Sequence, residues 1–277
     1  NNLSGSISDS LYSIFSLENL KEIHLGGNDL TGELPDSFGT LSNLEVLSLW
    51  GNNLTGELPD AFGVLSNLVW LNLNENNLHG DLGVLVRWNL PYLEGVELGG
   101  NLLFGGIPSD MGESFLYSNG TIRSLKLGNN NLGCADYDYS CVPEGDWDKE
   151  RCCITHCEET DECSAGIPSS IGNLSSLEYL DLGSNYLRGK IPEEIGNLLN
   201  LQGLYLNNNS IASTIPERIG DMESLRYLSL DQNYLYGEVP TKINELFNLE
   251  ELYLYHNYLS GSFPEISNPF TGGMSSL

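Results

Sequence analysis

Large apolar residues recur along this chain in one pattern, L-x-x-L-x-L-x-x-N-x-L. In one copy, Leu44, Leu47 and Leu49 are followed by Asn52 and Leu54. Two leucines with one residue between them fit a short strand whose side chains alternate between an interior and an exposed face. The pattern therefore predicts one very short strand per copy, with the leucines in the interior.

The pattern returns at a fixed interval. Asn28, Asn52 and Asn76 are 24 residues apart, and the same spacing runs from Asn185 to Asn257. Counting the partial copy at the start, ten copies are present. A unit of this size cannot bury its own leucines, so neighbouring units must stack. We expect a right-handed solenoid with a concave parallel sheet of about nine strands. Turns, 3-10 segments and a second set of short strands are expected on its other sides.

The polar positions of the pattern are predicted to be structural. The asparagine amide can donate and accept at once, so it can satisfy backbone groups of its own turn and of the next. The second half of most copies reads G-x-L/I-P-x-x-F/I-G, as at Gly32, Pro35, Phe38 and Gly39. Proline lacks a backbone donor, which suits the edge of a loop.

Together the two halves of the pattern resemble the plant-type leucine-rich-repeat family, which includes receptor-kinase ectodomains and polygalacturonase-inhibiting proteins. The resemblance covers nearly all of the chain outside residues 133–165. It implies an α/β solenoid, mostly β, with a parallel concave β-sheet and 3-10 turns on the convex side. It also implies a binding function, as in a receptor ectodomain.

One long interruption divides the repeats. The gap from Asn130 to Asn185 is 55 residues, 31 more than one repeat. We divide the chain into repeats at 1–132, a cysteine-rich acidic insertion at 133–165, repeats at 166–264 and a C-terminal tail at 265–277. The insertion holds all six cysteines of the chain, which are Cys134, Cys141, Cys152, Cys153, Cys157 and Cys163.

The insertion is too small to form an apolar core, so we expect three disulfides, with a connectivity that the sequence does not reveal. The alternative is a zinc site at Cys152, Cys153, His156 and Cys157. Weak calcium binding is a further alternative, at Asp136, Asp138, Asp146 and Asp148. Vicinal cysteines beside leucine-rich repeats also resemble algal and diatom cell-surface proteins. In plant steroid-hormone receptors of this family an island within the repeats helps to form the ligand pocket. The insertion is therefore a second candidate surface, with a lateral brace as the alternative.

The charge and the sequons bear on location and partners. The net charge is −27, from 38 acidic and 11 basic residues. Such a surface repels nucleic acid and anionic lipid and suits cationic partners, or it serves solubility alone. No stretch is apolar enough to cross a membrane. Five sequons favour an extracellular location, secreted or at the cell surface: Asn2, Asn53, Asn119, Asn173 and Asn208. Because the chain begins within a repeat, we expect it to be part of a longer one.

The repeat frame also predicts which side chains point out of the concave face. Aromatic residues and acids share these positions, and we take them as the candidate ligand-binding residues: Trp50, Trp70, Tyr179, Asp181, Tyr205, Tyr227, Asp231, Glu251, Tyr253 and Tyr255. Rigid aromatic surface with acids between the rings suits a peptide or protein with basic residues, or a glycan. The alternative is that these rings reflect strand propensity alone.

No nucleophile, zinc-protease or nucleotide-binding motif is present, so we predict neither an enzyme nor a cofactor. The leading hypothesis is an extracellular ligand-recognition domain, either a receptor ectodomain or an adhesion protein. The rivals are a secreted inhibitor of a foreign hydrolase and a structural cell-surface protein.

Overall fold

The computed structural model describes residues 1–10, 13–114, 121–137, 153–156 and 165–264. Within them, nine strands of three residues form one parallel sheet in chain order. The strands are β1 (Glu22–His24), β2 (Val46–Ser48), β3 (Trp70–Asn72), β4 (Gly95–Glu97), β5 (Ser124–Lys126), β6 (Tyr179–Asp181), β7 (Gly203–Tyr205), β8 (Tyr227–Ser229) and β9 (Glu251–Tyr253). This confirms the predicted concave sheet and its number of strands.

Neighbouring strands pair in the register that the repeat frame predicts. Val46 of β2 pairs with Trp70 of β3, and Tyr205 of β7 pairs with Ser229 of β8. The central residue of each strand is a leucine, an isoleucine or a valine that points inward, and Leu71 and Leu204 are fully buried in one continuous core. Stacking of identical positions therefore builds both the interior and the rows of side chains on the outer face.

The repeat asparagines form a ladder, as predicted. The Asn76 amide donates to the carbonyls of Leu73, in its own repeat, and Leu49, in the preceding one, both at 3.1 Å. Its oxygen accepts the Leu54 N–H at 3.0 Å. The Asn76 amide thus bonds to the preceding repeat, whereas the sequence analysis predicts a bond to the next repeat. This bonding satisfies backbone groups that would otherwise be buried without partners.

Short strands and helices complete the other sides of each turn. The remaining strands are Ser4–Ser6, Asp29–Glu33, Asn53–Thr55, His79–Asp81, Leu102–Gly105, Asn131–Leu132, Cys134–Tyr137, Cys153–His156, Tyr236–Glu238 and Tyr258–Ser260. The 3-10 helices are Ile14–Ser16, Asp36–Thr40, Asp60–Val64, Ser169–Asn173, Glu193–Asn197, Glu217–Asp221 and Thr241–Glu245. Short α-helices are Ile7–Ser10, Gly83–Arg87 and Met111–Ser114. In six of the seven 3-10 helices that the described residues form, a proline occupies the N-cap, because its φ suits the entry into the turn.

The insertion leaves the solenoid directly after Leu132. Its strands Cys134–Tyr137 and Cys153–His156 pair antiparallel. Cys134 is buried against the repeats and is disulfide-bonded. The other cysteine side chains lie outside the described residues, and so does most of the predicted calcium group, so the three disulfides and both metal alternatives stay predictions. Among the described residues, no three metal-ligating side chains come together.

None of the helices in the described part of the chain is long and apolar enough to cross a membrane.

Candidate ligand-binding face

The concave sheet places the predicted aromatic residues in rows. Tyr179 is the first residue of β6 and pairs with Gly203 of β7, which in turn pairs with Tyr227 of β8. Tyr205 is the third residue of β7. These three tyrosine side chains are half-buried. Glycine at 203 makes this possible, since a Cβ there would come within 2.9 Å of the Tyr205 ring and 3.1 Å of the Tyr179 ring.

Towards the C-terminal end the rings stand free of the sheet. Tyr253 is 42% and Tyr255 is 52% exposed, and the two rings meet edge to face at 6.4 Å. The Tyr253 hydroxyl donates to Glu251 at 2.9 Å, and this bond raises the pKa of the phenol. Aromatic surface therefore extends from β6 to β9, with a carboxylate at its outer end.

Asp181 lies sunk into the sheet beside these rings. Its carboxylate accepts the Gly183 N–H at 2.9 Å. A Cβ on Gly128 would come within 2.6 Å of the same carboxylate oxygen, so this glycine provides the room. Burial raises the pKa of Asp181, while the Gly183 N–H and the Lys126 ammonium oppose the shift. Among the described residues, no lysine or arginine nitrogen lies within 4 Å of this carboxylate.

The charge of Asp181 affects the phenol of Tyr205 on the adjacent strand. Burial raises the pKa of Tyr205, and the carboxylate of Asp181 raises it further. Tyr205 and Asp181, which pair across adjacent strands, thus form an aromatic and acidic patch that would gain from a positive charge placed between them.

The two remaining acids predicted on this face differ in access. Asp231 is only 3% exposed and accepts a hydrogen bond from the Ser229 hydroxyl at 2.6 Å. Its carboxylate is therefore engaged in a hydrogen bond within the sheet, and we leave Asp231 out of the proposed site. Glu251 is exposed on the last concave strand and remains within it.

Tryptophans cover the N-terminal half of the same face. Trp50 is 45% exposed and lies over Gly26, where a Cβ would come within 2.2 Å of the indole nitrogen. Trp70 lies over Gly95 in the same way, at 2.4 Å. The sequence indicates this packing, because a glycine occupies the concave position beside each tryptophan ring. The repeat frame alone does not predict it, since it specifies only which positions face outward.

Four of the five predicted glycosylation sites are visible on the surface. Asn2, Asn53, Asn173 and Asn208 are exposed, and Asn119 lies outside the described residues. Asn208 stands at the rim of the concave face, where a glycan would cover part of the side of the solenoid.

Comparisons with known proteins agree with this architecture. One family model, a leucine-rich repeat region, matches residues 152–267, and a second, a leucine rich repeat, matches residues 13–78. Together the two models span well over half of the chain. No match was found among curated proteins.

Several similar solved structures come from plants. The plant peptide hormone receptor RGFR1, in complex with RGF2, is 32% identical with a TM-score of 0.68, over 95% of this chain and 40% of that one. The ectodomain of the Arabidopsis receptor kinase HAESA, in complex with an N-terminal extended IDA peptide hormone, is 27% identical with a TM-score of 0.75, over 95% and 38%. A plant ice-binding protein shares the fold, at 22% identity and a TM-score of 0.71, over 95% and 72%.

Repeats, ladder and neighbours define a leucine-rich-repeat solenoid. The chain belongs to the plant-type leucine-rich-repeat family. It spans about two fifths of the length of the two receptor ectodomains.

Proposed function

We propose that this chain is an extracellular ligand-recognition domain, part of a receptor or an adhesion protein. Its concave face from β6 to β9 would bind a peptide segment that carries a basic residue. The observation that carries the proposal is the row of tyrosines around the sunken carboxylate of Asp181. Recognition is the proposed activity, and no catalytic role is assigned to any residue.

The chemistry of this row favours a basic side chain. A guanidinium can stack on the half-buried rings of Tyr179 and Tyr205 while it pairs with Asp181. Because burial raises the pKa of that carboxyl, a cation from the ligand would relieve an unfavourable charge. Exposed Tyr253 and Glu251 would hold the next part of the same peptide.

The rigidity of the sheet supports the same use. Each strand is pinned by its neighbours and by the buried leucines, so the rings lose little conformational freedom when a ligand binds. The receptors RGFR1 and HAESA, which have similar folds, were solved with peptide hormones. A secreted hydrolase inhibitor would use the same fold, but no described residue favours that function over recognition of a peptide.

Selection from a library of random peptides tests the proposal. We expect enriched peptides to share an arginine or a lysine. Calorimetry should then show that Tyr205→Ala with Tyr253→Ala weakens binding of an enriched peptide at least about tenfold, which is ~1.4 kcal/mol. Tyr234→Ala, on the side of the solenoid, is the matched control and should leave the affinity unchanged. Enriched peptides without a basic residue, or equal affinities of both variants, would contradict the proposal.

A further inference from the structure

A groove of about 510 Å³ runs along the side of the solenoid, next to the C-terminal half of the concave face. It extends from Asn129 to Tyr258 and is lined by equivalent residues of five consecutive repeats. Its floor is the asparagine ladder, whose amides are already bonded to backbone groups. The volume is that of an ordinary small-ligand site.

The groove is uncharged in a chain whose net charge is −27. Among the described residues, amide, hydroxyl, phenol and imidazole groups line it, and no Asp, Glu, Lys or Arg does. Another surface depression, near the N-terminal end, has Glu33, Asp36, Glu57 and Asp60 in its wall. A ligand of the side groove is therefore recognised by hydrogen bonds and packing, without ionic pairing.

The backbone of the groove carries strained residues. At the position just before each ladder asparagine, φ is positive in every repeat from β1 to β9. Three of the first four repeats have glycine there: Gly27, Gly51 and Gly100. The five repeats of the groove have side chains at φ of 52–55°: Asn129, Ser184, Asn208, Gln232 and His256. Glu75, in the remaining repeat, also has a positive φ, of 54°. Left-handed backbone favours glycine, so the groove has five side chains at a position where most of the first four repeats have none, and all five line the groove.

Two of these side chains have hydrogen-bonding capacity to spare. Asn208 donates to the Ser184 hydroxyl at 3.2 Å, whereas Gln232 and His256 make no side-chain hydrogen bond to any described residue. Amide groups that both donate and accept suit a ligand with many hydroxyls.

A pair of parallel rings completes the groove. Tyr234 is 51% and Tyr258 is 66% exposed, and their ring centroids are 6.1 Å apart with planes only 16° from parallel. The rings stand on adjacent repeats, whose strands are spaced by about 4.8 Å. That spacing is close to the length of one pyranose ring in an extended β-linked chain. The apolar C–H face of a sugar packs on such rings, while its hydroxyls reach the amides beside them.

A peptide strand has no place to pair here. The N–H groups of Ser210, Tyr234 and Tyr258 donate to carbonyls of the preceding repeats at 2.7–2.9 Å. Strand addition requires an unpaired backbone edge, which this groove lacks along these residues.

We propose that this lateral groove binds a neutral oligosaccharide, an extended chain of β-linked hexoses with one ring per repeat. The site is separate from the concave row of tyrosines. It includes Asn208, the acceptor of a sequon, so an N-glycan at this position would occupy the groove and compete with the ligand. The binding-competent protein therefore has Asn208 free.

Calorimetry on protein produced without N-glycosylation tests the proposal. The probes are β-1,4-linked hexamers of glucose and of mannose, both neutral, and a hexamer of galacturonate, which is anionic. We expect at least one neutral hexamer to bind, and the galacturonate hexamer to bind at least about tenfold more weakly. Tyr234→Ala with Tyr258→Ala should weaken binding of the neutral hexamer by at least about tenfold.

Two further variants separate binding from folding and from the concave site. Gln232→Gly places at this position the residue that the first repeats use, so it should weaken sugar binding without lowering the unfolding midpoint. Tyr205→Ala with Tyr253→Ala, on the concave face, should leave sugar binding unchanged. The proposal is overturned if neither neutral hexamer binds at millimolar concentration, if the anionic hexamer binds equally, or if only the concave variant reduces binding. Peptide binding at the concave face is expected to survive loss of Tyr234 and Tyr258, so the two proposals fail independently.

Discussion

The Lys126 ammonium lies 2.7 Å from the Glu97 carboxylate in the middle of the concave face. Glu97 is only 6% exposed, and its other oxygen accepts hydrogen bonds from the amides of Asn72 at 2.8 Å and Asn74 at 3.2 Å. Three neighbouring strands thus contribute to one buried anion. The pair links the tryptophan half of the face to the tyrosine half.

Replacing Lys126 with methionine should destabilise the fold. The Glu97 carboxylate would keep two neutral donors but lose its cation inside the sheet. We expect the free energy of unfolding, measured by urea denaturation, to fall by about 1–3 kcal/mol. The loss is smaller than for a fully enclosed pair because the Lys126 side chain is 40% exposed.

Two comparisons identify the cause of this loss. Glu97→Gln added to Lys126→Met should restore most of the stability, because the amide keeps the hydrogen bonds and removes the charge. Lys21→Met breaks an ion pair with Glu45 in which Lys21 is 66% exposed, and it should leave the unfolding midpoint nearly unchanged. Equal effects of Lys126→Met and Lys21→Met would show that burial of Glu97 is irrelevant.

A second prediction concerns the glycine under Trp70. An alanine Cβ at Gly95 would lie 2.4–2.6 Å from three carbons of the indole. Since φ is not positive at this residue, the closest obstacle to the substitution is the ring. Gly95→Ala should push the indole away from the sheet, lower the free energy of unfolding by about 1–3 kcal/mol and shift the tryptophan emission to longer wavelength.

Removal of the ring supplies the control. In a Trp70→Ala background, Gly95→Ala should have little effect on the urea midpoint, because the clash no longer exists. A cost that is the same in both backgrounds would mean that the backbone, and not the indole, requires glycine at this position.

The repeat frame predicted the sheet and its rows because each repeat faces the same packing problem. It placed Tyr205 and Trp70 correctly on the concave face. However, the position of a residue in the repeat frame does not reveal how deeply it is buried. Asp231 shares the concave face with Glu251, yet it is buried and accepts a hydrogen bond from Ser229. Depth depends on contacts between specific neighbouring side chains, which no single repeat encodes.

The repeat frame predicts neither the lateral groove nor the cysteine connectivity of the insertion, for different reasons. Gln232 precedes a ladder asparagine, where the pattern specifies only a turn, so the uncharged groove became visible once five repeats were aligned in space. Residues 133–165 have no period, and cysteine spacing alone leaves their connectivity open. Periodicity therefore predicts the scaffold, and the sites arise where the repeats differ.

The last prediction uses the pKa of Asp181 to separate binding from stability. Burial raises this pKa above its ordinary value of 3.8, so the folded protein holds the proton more tightly than the unfolded chain. Ionised Asp181 therefore lowers stability above the folded pKa, and this cost disappears as the pH falls towards 3.8. Asp181→Asn should therefore raise the free energy of unfolding at pH 7. Below about pH 3.8 the variant and the wild type should have the same free energy of unfolding. The variant should also bind basic peptides more weakly.

Asp221 is the matched control with the opposite sign. Lys242 lowers the pKa of Asp221, Arg218 adds to the effect, and their attraction outweighs the cost of desolvation. Its ionised form therefore contributes stability above 3.8 that is lost as the pH falls through the lowered pKa. Asp221→Asn should thus reduce the free energy of unfolding at pH 7 and converge with the wild type in acid. Urea denaturation of the three proteins at several pH values measures both differences. If the two variants shift stability in the same direction at pH 7, Asp181 does not carry an unfavourable charge, and the reason for placing a ligand cation beside it is lost.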